Sequence, residues 1–228
     1  MLKIVNLKKG FLNKKVLNGI NVEIKKGNIY GLVGPNGSGK STLMKIIVGL
    51  MQKKSGEIYL NGNLVNKKNQ HEISYEPTED YFFQWMKVKD TLEFYEKFYK
   101  NFNLKKALIL IKDMDLDLEQ KVSSLSTGQK GRLKLILILS RELNLYMLDE
   151  PLNGIDPVSR DKIIDLIASE IDGNKTIIIA SHLIKEFETI LDKVIFLKDG
   201  KVLLEKNCEE LRIENNMSIH DYYKTIYN

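Results

Sequence analysis

Apolar and polar residues alternate along the first part of the chain, as they do in strands that bury one face. The alternation runs through residues 9–34 and is interrupted by the polar stretches LNKK and KKGN, which predicts strands joined as hairpins. It ends in the apolar run IYGLVG (residues 29–34), which is typical of a buried strand. Residues 40–51 change to helical spacing, and residues 55–65 predict a further strand and turn. One face of the predicted helix carries Leu43, Ile46, Ile47 and Leu50.

The middle of the chain has a helical pattern. Residues 90–143 contain no proline and no hairpin turn sequence. Asp90 with Glu93 three residues later is a capping-box pattern, which predicts that a helix opens at Asp90. The apolar stripe predicted for this helix consists of Leu92, Tyr95, Phe98, Tyr99 and Phe102. A second helix is predicted over GRLKLILILSREL, residues 131–143.

Strands return after this helical block. Three apolar runs, LYMLDEP, KTIIIASH and KVIFLKDGKVLLE, predict strands, and Asp199-Gly200 in the third predicts a hairpin. Residues 156–171 have helical spacing between the first two runs. The apolar side of that helix carries Ile163, Ile164, Ile167 and Ile171. Strands that alternate with helices predict an α/β fold, and the helical block predicts an inserted subdomain. The polar stretch after about Asn207 carries no pattern from which to predict an element.

Composition narrows the class of protein. The 228 residues suffice for one domain, or one domain with a subdomain, and 43% hydrophobic with 29% charged residues is ordinary for a soluble globular protein. We expect no membrane span and no secretory signal, because long apolar runs are absent from the sequence. A single cysteine, Cys208, excludes an internal disulfide and favours a reducing compartment. The net charge of +5 is spread over short lysine clusters, so we expect no nucleic-acid partner.

A glycine-rich loop separates the predicted strand at residues 29–34 from the predicted helix at residues 40–51. Its residues match the pattern GxxxxGK[ST] and are followed by Thr42; they are Gly34, Pro35, Asn36, Gly37, Ser38, Gly39, Lys40 and Ser41. Glycines allow successive backbone N–H groups to face one anion, and the helix points its positive end at the same place. Lys40 supplies a charge for the β- and γ-phosphates, and the Ser41 hydroxyl can bind Mg²⁺. The loop therefore predicts a nucleoside triphosphate site.

Two adjacent carboxylates, Asp149 and Glu150, follow the apolar run LYML. Alone they are a weak indication, because many buried strands end in acidic loops. Together with the glycine loop they predict that Asp149 holds Mg²⁺ through water and that Glu150 is the general base that polarises the attacking water. The alternative for Glu150 is a solvent-facing or helix-capping glutamate.

Several further motifs are similar to those of the ATP-binding cassette (ABC) ATPases. The pentapeptide LSTGQ, residues 125–129, resembles the family signature LSGGQ with Thr127 in place of a glycine. PLNGID resembles the D-loop, with Asp156 as its acidic residue, and ASH resembles the switch region, with His182 as its histidine. Phe11 stands where the family has the aromatic residue that stacks on adenine. The alternatives are a strand-end histidine for His182 and a core aromatic for Phe11.

The resemblance extends over about residues 2–206 and implies a fold and a cycle. The fold is an α/β P-loop NTPase core of mainly parallel sheet, with an antiparallel β subdomain and an inserted α-helical subdomain. The implied boundaries are about 1–77 and 145–206 for the core and β subdomain, about 80–143 for the helical subdomain, and 207–228 for a tail. Two such domains would pack head to tail around Mg·ATP. The signature of one domain would then close the glycine loop of the other through Ser126, Thr127, Gly128 and Gln129.

The segment ISYEPTED departs from the family pattern. Thr78 stands at the position of the usual Q-loop glutamine, and Glu79 follows it. Thr78 is shorter than glutamine but still offers a hydroxyl toward the metal, and Glu79 could contact Mg²⁺ through water. Altered residues here resemble the bacitracin-exporter-like branch of small ATP-binding subunits.

Ten of the nineteen aromatic residues lie between Tyr75 and Phe102. They are either the filling of a helical core or, in part, a groove for a helix of a partner. The resemblance implies that this partner is a separate integral membrane permease, and that the chain is cytoplasmic and peripheral on the inner face of the membrane. It also implies a homodimer, or a heterodimer with a second ABC ATPase. The alternative function is a soluble ABC ATPase without a transport role.

Overall fold

The computed structural model describes residues 1–12 and 14–227. In chain order its strands are β1 (Leu2–Phe11), β2 (Lys14–Ile24), β3 (Ile29–Val33), β4 (Ser55–Leu60), β5 (Asn63–Leu64), β6 (Ile73–Glu76), β7 (Leu145–Asp149), β8 (Thr176–Ser181), β9 (Lys193–Lys198) and β10 (Lys201–Asn207). Its α-helices are α1 (Lys40–Ile47), α2 (Val88–Phe98), α3 (Leu104–Asp113), α4 (Thr127–Leu139), α5 (Pro157–Ser169), α6 (Ile184–Phe187), α7 (Cys208–Asn215) and α8 (Ile219–Tyr227).

The strands form two sheets. An antiparallel sheet has the order β2-β1-β4-β5, and a six-stranded sheet has the order β10-β9-β3-β8-β7-β6. The predicted hairpin between β1 and β2 is present, and Asn13, which separates the two strands in the sequence, lies outside the described residues. The predicted hairpin at Asp199-Gly200 joins β9 to β10. The other neighbours in the larger sheet are parallel, which confirms the predicted α/β fold with a mainly parallel sheet.

The register of the parallel strands brings four chain segments to one edge. Val33 at the end of β3 pairs with Ser181 at the end of β8, Asp149 of β7 pairs with Ala180, and Glu76 of β6 pairs with Leu148. The residues that follow these strands therefore leave the sheet side by side. Crevices at the carboxyl ends of parallel strands are where α/β proteins bind ligands. This edge carries the candidate site.

The central strands β3, β7 and β8 of the larger sheet are buried on both faces, as continuous apolar strands require. On one side, α1 and the antiparallel sheet cover it with an apolar cluster that includes Leu43, Met44 and Ile58. On the other side, the core cluster includes residues of α2, α3, α4 and α5. The predicted apolar side of α5 is confirmed by buried Ile163, Ile164 and Ile167.

Three predictions about helices need correction. Helix α1 ends at Ile47, with Gly49 at a φ of 77°, so the side chain of Leu50 is 68% exposed instead of buried. Helix α2 begins at Val88, before Asp90. The Asp90 carboxylate accepts a hydrogen bond from the Lys87 N–H at 2.9 Å, so it caps the helix from inside its first turn.

The apolar stripe predicted for α2 is buried only in part. Leu92 and Phe102 belong to the core, whereas Phe98 is 69% exposed. Because α2 ends at Phe98, the residues beyond it do not continue the helical stripe.

Two helices occupy the region after Asn207 for which the sequence pattern gave no element. Asn207 caps α7 by accepting from the N–H groups of Glu209 and Glu210. In α8, Tyr222 packs edge-on against Phe196 with ring centroids 5.6 Å apart. Its apolar side carries Ile219, Tyr222, Tyr223, Ile226 and Tyr227, which follow helical spacing in the sequence. No helix within the described residues is both long enough and apolar enough to cross a bilayer.

Candidate functional site

The glycine loop lies between β3 and α1, as predicted. Gly37 has a φ of 81°, and Gly39, the N-cap of α1, has a φ of 107°. A Cβ atom on Gly34 would lie 2.3 Å from the Leu197 carbonyl oxygen, so only glycine fits there. The N-terminus of α1 therefore opens onto a nest of backbone groups, an arrangement that favours anions.

The glycine loop forms one wall of a cleft of about 480 Å³. Its lining residues are Lys14, Val16, Asn36, Gly37, Gly39, Lys40, Ser41, Thr42, Thr78 and Glu150. Lys40 is buried, and its ammonium donates to the carbonyl oxygens of Gly34 (2.8 Å) and Pro35 (3.4 Å). Burial lowers the pKa of Lys40, and the carboxylates of Glu150 and Asp149 oppose this. The lysine thus places a cation inside the curve of the loop.

Asp149 ends β7 directly beside the start of α1. Its Oδ1 accepts from the Ser41 hydroxyl at 3.0 Å, and its Oδ2 accepts from the Tyr75 hydroxyl at 3.2 Å. Burial raises the pKa of Asp149, while these two hydrogen bonds lower it. A hydroxyl and a carboxylate in contact are the oxygen donors that Mg²⁺ prefers. The residues present therefore fit a magnesium ion between Ser41 and Asp149.

Glu150 follows Asp149 in a left-handed backbone conformation, with a φ of 54°. This conformation aims its side chain across the sheet edge to the end of β8. Its Oε2 accepts from the Ser181 hydroxyl at 2.9 Å and from the His182 N–H at 3.3 Å, and it lies 2.9 Å from His182 Nδ1. The structure thus brings together Glu150 and His182, which the sequence separates widely.

The signature segment lies at the start of α4. The Ser126 hydroxyl accepts from the Gln129 N–H at 3.2 Å, and Gln129 Oε1 accepts from the Ser126 N–H at 2.9 Å, a complete capping box. A Cβ atom on Gly128 would lie 3.1 Å from Asp156 Oδ2. Thr127 lies against Gly154, whose added Cβ would be 2.9 Å from its methyl group. Of the described residues, those at 126–129 are absent from the lining of the phosphate cleft of their own chain.

The two residues at the Q-loop position diverge in the structure. Thr78 lines the cleft, and its hydroxyl donates to the Asp149 carbonyl oxygen at 3.0 Å. Glu79 points elsewhere and pairs with Lys45 at 2.6 Å. The hydrogen bond from Lys45 lowers the pKa of Glu79. Lys45 therefore competes with any water-mediated contact from Glu79 to a metal.

Phe11 ends β1 and is 45% exposed, which rules out a position in the core. Its ring lies 4.7 Å from the Lys9 ammonium. Val16, which the sequence motifs did not single out, lines the cleft instead. Tyr75 is the second residue that the motifs missed, because only its hydrogen bond to Asp149 reveals a role.

The aromatic residues of the middle segment divide between core and surface. A groove of about 190 Å³ opens beside α2, and its lining residues are Tyr81, Phe82, Phe83, Met86, Thr91, Phe94, Tyr95, Phe98 and Tyr99. Phe83 is 51% exposed, Phe98 is 69% exposed and nearby Trp85 is 70% exposed. Phe94 and Phe98 stack with centroids 4.4 Å apart. Some of these aromatic residues thus belong to the helical core, and others line an exposed apolar groove.

The fold and the cleft define a P-loop nucleoside triphosphatase. Residues 17–153 match the family model described as ABC transporter. The chain is 35% identical over 219 residues to the lantibiotic transport ATP-binding protein SrtF of Streptococcus pyogenes, an alignment that covers 92% of this chain and 95% of that protein. The chain therefore belongs to the ABC transporter family, as one of its ATP-binding ATPase domains. This similarity extends over 92% of the chain, well beyond the short signature and switch motifs that suggested the family.

Solved structures show the same fold. The ATP-binding subunit of an ABC transporter has a TM-score of 0.88 at 22% identity and covers 99% of this chain and 98% of its own. A dimeric post-hydrolysis state of the ATP-binding cassette MJ0796 bound to ADP and Pi has a TM-score of 0.80 at 24% identity, covering 91% of this chain and 98% of its own.

Proposed function

We propose that two copies of this chain, or one copy and a homologue, bind Mg·ATP between them and hydrolyse it to drive a separate membrane permease. The observation that carries the proposal is the convergence of the glycine loop, Asp149, Glu150 and His182 at one sheet edge. Gly34 to Thr42 hold the phosphates, with Lys40 as their cation. Phe11 stacks on the adenine ring from the exposed end of β1.

The metal and the attacking water each have defined partners. Ser41 and Asp149 would hold Mg²⁺, which neutralises charge on the phosphates, and Thr78 borders the same region. Glu79 takes part only after release from Lys45. Glu150 would accept the proton of the attacking water. His182, which lies 2.9 Å from Glu150 Oε2, would hydrogen-bond the γ-phosphate.

The second copy completes the site. Ser126, Thr127, Gly128 and Gln129 stand at the positive end of α4 and do not line the phosphate cleft of their own chain, although Thr127 borders the adjoining cavity with Asp149 and Glu150. We infer that this segment covers the nucleotide of the partner. The related cassette MJ0796 forms a dimer. Nucleotide that binds the closed pair more tightly than the open pair drives closure, and hydrolysis reverses it.

The aromatic groove beside α2 is the proposed docking site for a helix of the permease. Large exposed aromatic side chains around a concave apolar surface are typical anchors for a partner helix. The relative SrtF is named as a transport protein, which supports this partner over a soluble one. Docking would place the chain on the cytoplasmic face of the membrane.

Replacement of Glu150 by glutamine tests the hydrolytic role. Glu150→Gln keeps the shape of the side chain but cannot accept a proton, so we expect turnover to fall about 100-fold or more. ATP affinity should stay within about twofold, because the glycine loop is unchanged. Turnover is measured by phosphate release, and ATP-dependent dimers by light scattering.

Glu209→Gln is the matched control, since Glu209 is an exposed residue of α7 far along the chain from the site motifs. It should retain the turnover of the parent protein. Full phosphate release by Glu150→Gln would remove Glu150 from the role of base.

A further inference from the structure

Lys134 is a buried lysine of α4 whose contacts the ATPase motifs do not explain. Its ammonium donates to three consecutive carbonyl oxygens, those of Pro77 (3.3 Å), Thr78 (3.1 Å) and Glu79 (2.6 Å). An ammonium has three N–H donors, so these bonds use all of them. One side chain of α4 therefore holds the backbone of the whole loop 77–79.

Burial of the Lys134 ammonium costs free energy. Burial of an ammonium is unfavourable unless hydrogen bonds and an opposite charge compensate for the lost water. Burial lowers the pKa of Lys134, and the carboxylate of Glu76 opposes this. Glu76 is itself 3% exposed at the end of β6, and among the described residues its Oε2 lacks a hydrogen-bond partner. An apolar residue at this position of α4 would avoid the cost of burying the ammonium, so the three hydrogen bonds to the loop indicate a specific role for Lys134.

A cavity of about 200 Å³ connects Lys134 and Glu76 to the hydrolytic carboxylates. Its walls include Glu76, Thr78 and Lys134 together with Asp149 and Glu150. The Thr78 hydroxyl in turn donates to the Asp149 carbonyl oxygen. A continuous series of hydrogen bonds thus runs from α4 through the loop 77–79 to the end of β7.

The side chain of Thr78 is short, so its hydrogen bond depends closely on the position of the loop backbone. Its hydroxyl reaches the Asp149 carbonyl only while the loop backbone stays where Lys134 holds it. The same helix, α4, carries Ser126 at its N-terminus. A shift of α4 would therefore move the loop carbonyls with it.

We propose that Lys134 is a positioning residue that fastens the loop 77–79 to the signature helix, so that closure of α4 on a partner nucleotide sets the position of Asp149 and Glu150 in its own site. This proposal rests on the proposed function, because it assumes that α4 of one copy covers the nucleotide of the other.

The test compares Lys134→Met with Lys162→Met in the full chain. Methionine keeps the apolar stem and removes the three donors. We expect the kcat for ATP to fall about tenfold or more, because misplacement of catalytic groups by about 1 Å costs up to about 100-fold in rate. The KM for ATP should change less than twofold, since the glycine loop is untouched. Lys162, which forms an exposed ion pair with Asp115, should tolerate the same change with kcat within twofold.

Amide hydrogen exchange reports the loop independently of hydrolysis. In Lys134→Met we expect exchange at residues 78–85 to accelerate at least fivefold, while peptides from β3 and α1 keep their parent rates. The double variant Lys134→Met/Glu76→Gln also removes the buried ionisable group of Glu76 and should remain slow in turnover. Recovery of kcat in the double variant would overturn the proposal, as would unchanged loop exchange in Lys134→Met.

Thr78→Val extends the test without changing a buried charge. Loss of its hydroxyl should lower kcat with little change in KM, whereas parent kcat in this variant would contradict the proposed linkage. If the parent chain itself lacked ATPase activity, the proposed function would fail, and the exchange measurement would still decide whether Lys134 anchors the loop.

Discussion

At the scale of single residues, the most restrictive position of the phosphate loop is Gly34, where lack of space rather than charge excludes a side chain. A Cβ atom on Gly34 would lie 2.3 Å from the Leu197 carbonyl oxygen and 2.7 Å from the Ser38 hydroxyl. Gly62, in the turn between β4 and β5, has a φ of 82° and no atom within 4 Å of such a Cβ. Glycine is therefore required at Gly34 for steric reasons, whereas at Gly62 it is favoured only by the backbone conformation.

We expect Gly34→Ala to abolish ATP binding and to lower the melting temperature more than Gly62→Ala does. The change at Gly62 costs only left-handed strain, about 1–2 kcal/mol, which corresponds to a shift of roughly 2–8 °C at this chain length. Differential scanning calorimetry and ATP titration measure the two effects. Equal shifts in melting temperature, with ATP binding retained in both variants, would show that the backbone at Gly34 yields to the added methyl group.

At the scale of elements, the sequence predicted the strands and motifs that depend on the pattern of neighbouring residues. The strands β3, β7 and β8 were visible because continuous apolar residues are needed when both faces are buried. The glycine loop and Asp149-Glu150 were visible because the residues that define each motif are adjacent in the sequence. The apolar stripe of α8 was overlooked in the sequence, where polar residues separate its members. The contact of Lys134 with residues 77–79 was missed because it joins distant segments.

The exposed part of α2 leads to a prediction about docking. Phe98→Asp places a charge in the apolar groove, so we expect it to abolish co-purification with an integral membrane protein from detergent-solubilised membranes. ATP turnover by the isolated chain should persist, because the groove lies outside the phosphate cleft. The comparison is with Ile213→Asp, a change at a 72% exposed position of α7. Co-purification of Phe98→Asp at the parent level would exclude the groove as the docking site.

At the scale of the whole molecule, each proposed site is divided between two chains. Lys40 lies in the cleft, whereas Ser126 caps a helix that does not line it. In the proposed head-to-tail dimer, each of two equivalent sites would combine Lys40 of one chain with Ser126 of the other. Two different inactive variants can therefore complement each other.

We expect Lys40→Met and Ser126→Asp each to be inactive, the second because aspartate keeps the helix cap but repels the triphosphate. An equimolar mixture should recover about a quarter of the parent turnover, since half of the random dimers pair the two variants and each contains one intact site. Phosphate release from the mixture measures this recovery. A mixture as inactive as its components would show that both residues serve the same chain's nucleotide.

The chain contains one tryptophan, Trp85, and it stands 70% exposed at the rim of the aromatic groove with its ring centroid 6.1 Å from that of Phe83. Its indole fluorescence is therefore a built-in optical probe of this surface, free of background from other tryptophans. A helix that settles into the groove would remove water from the indole and shift its emission to shorter wavelength, so assembly with the permease could be followed in real time without attaching a dye.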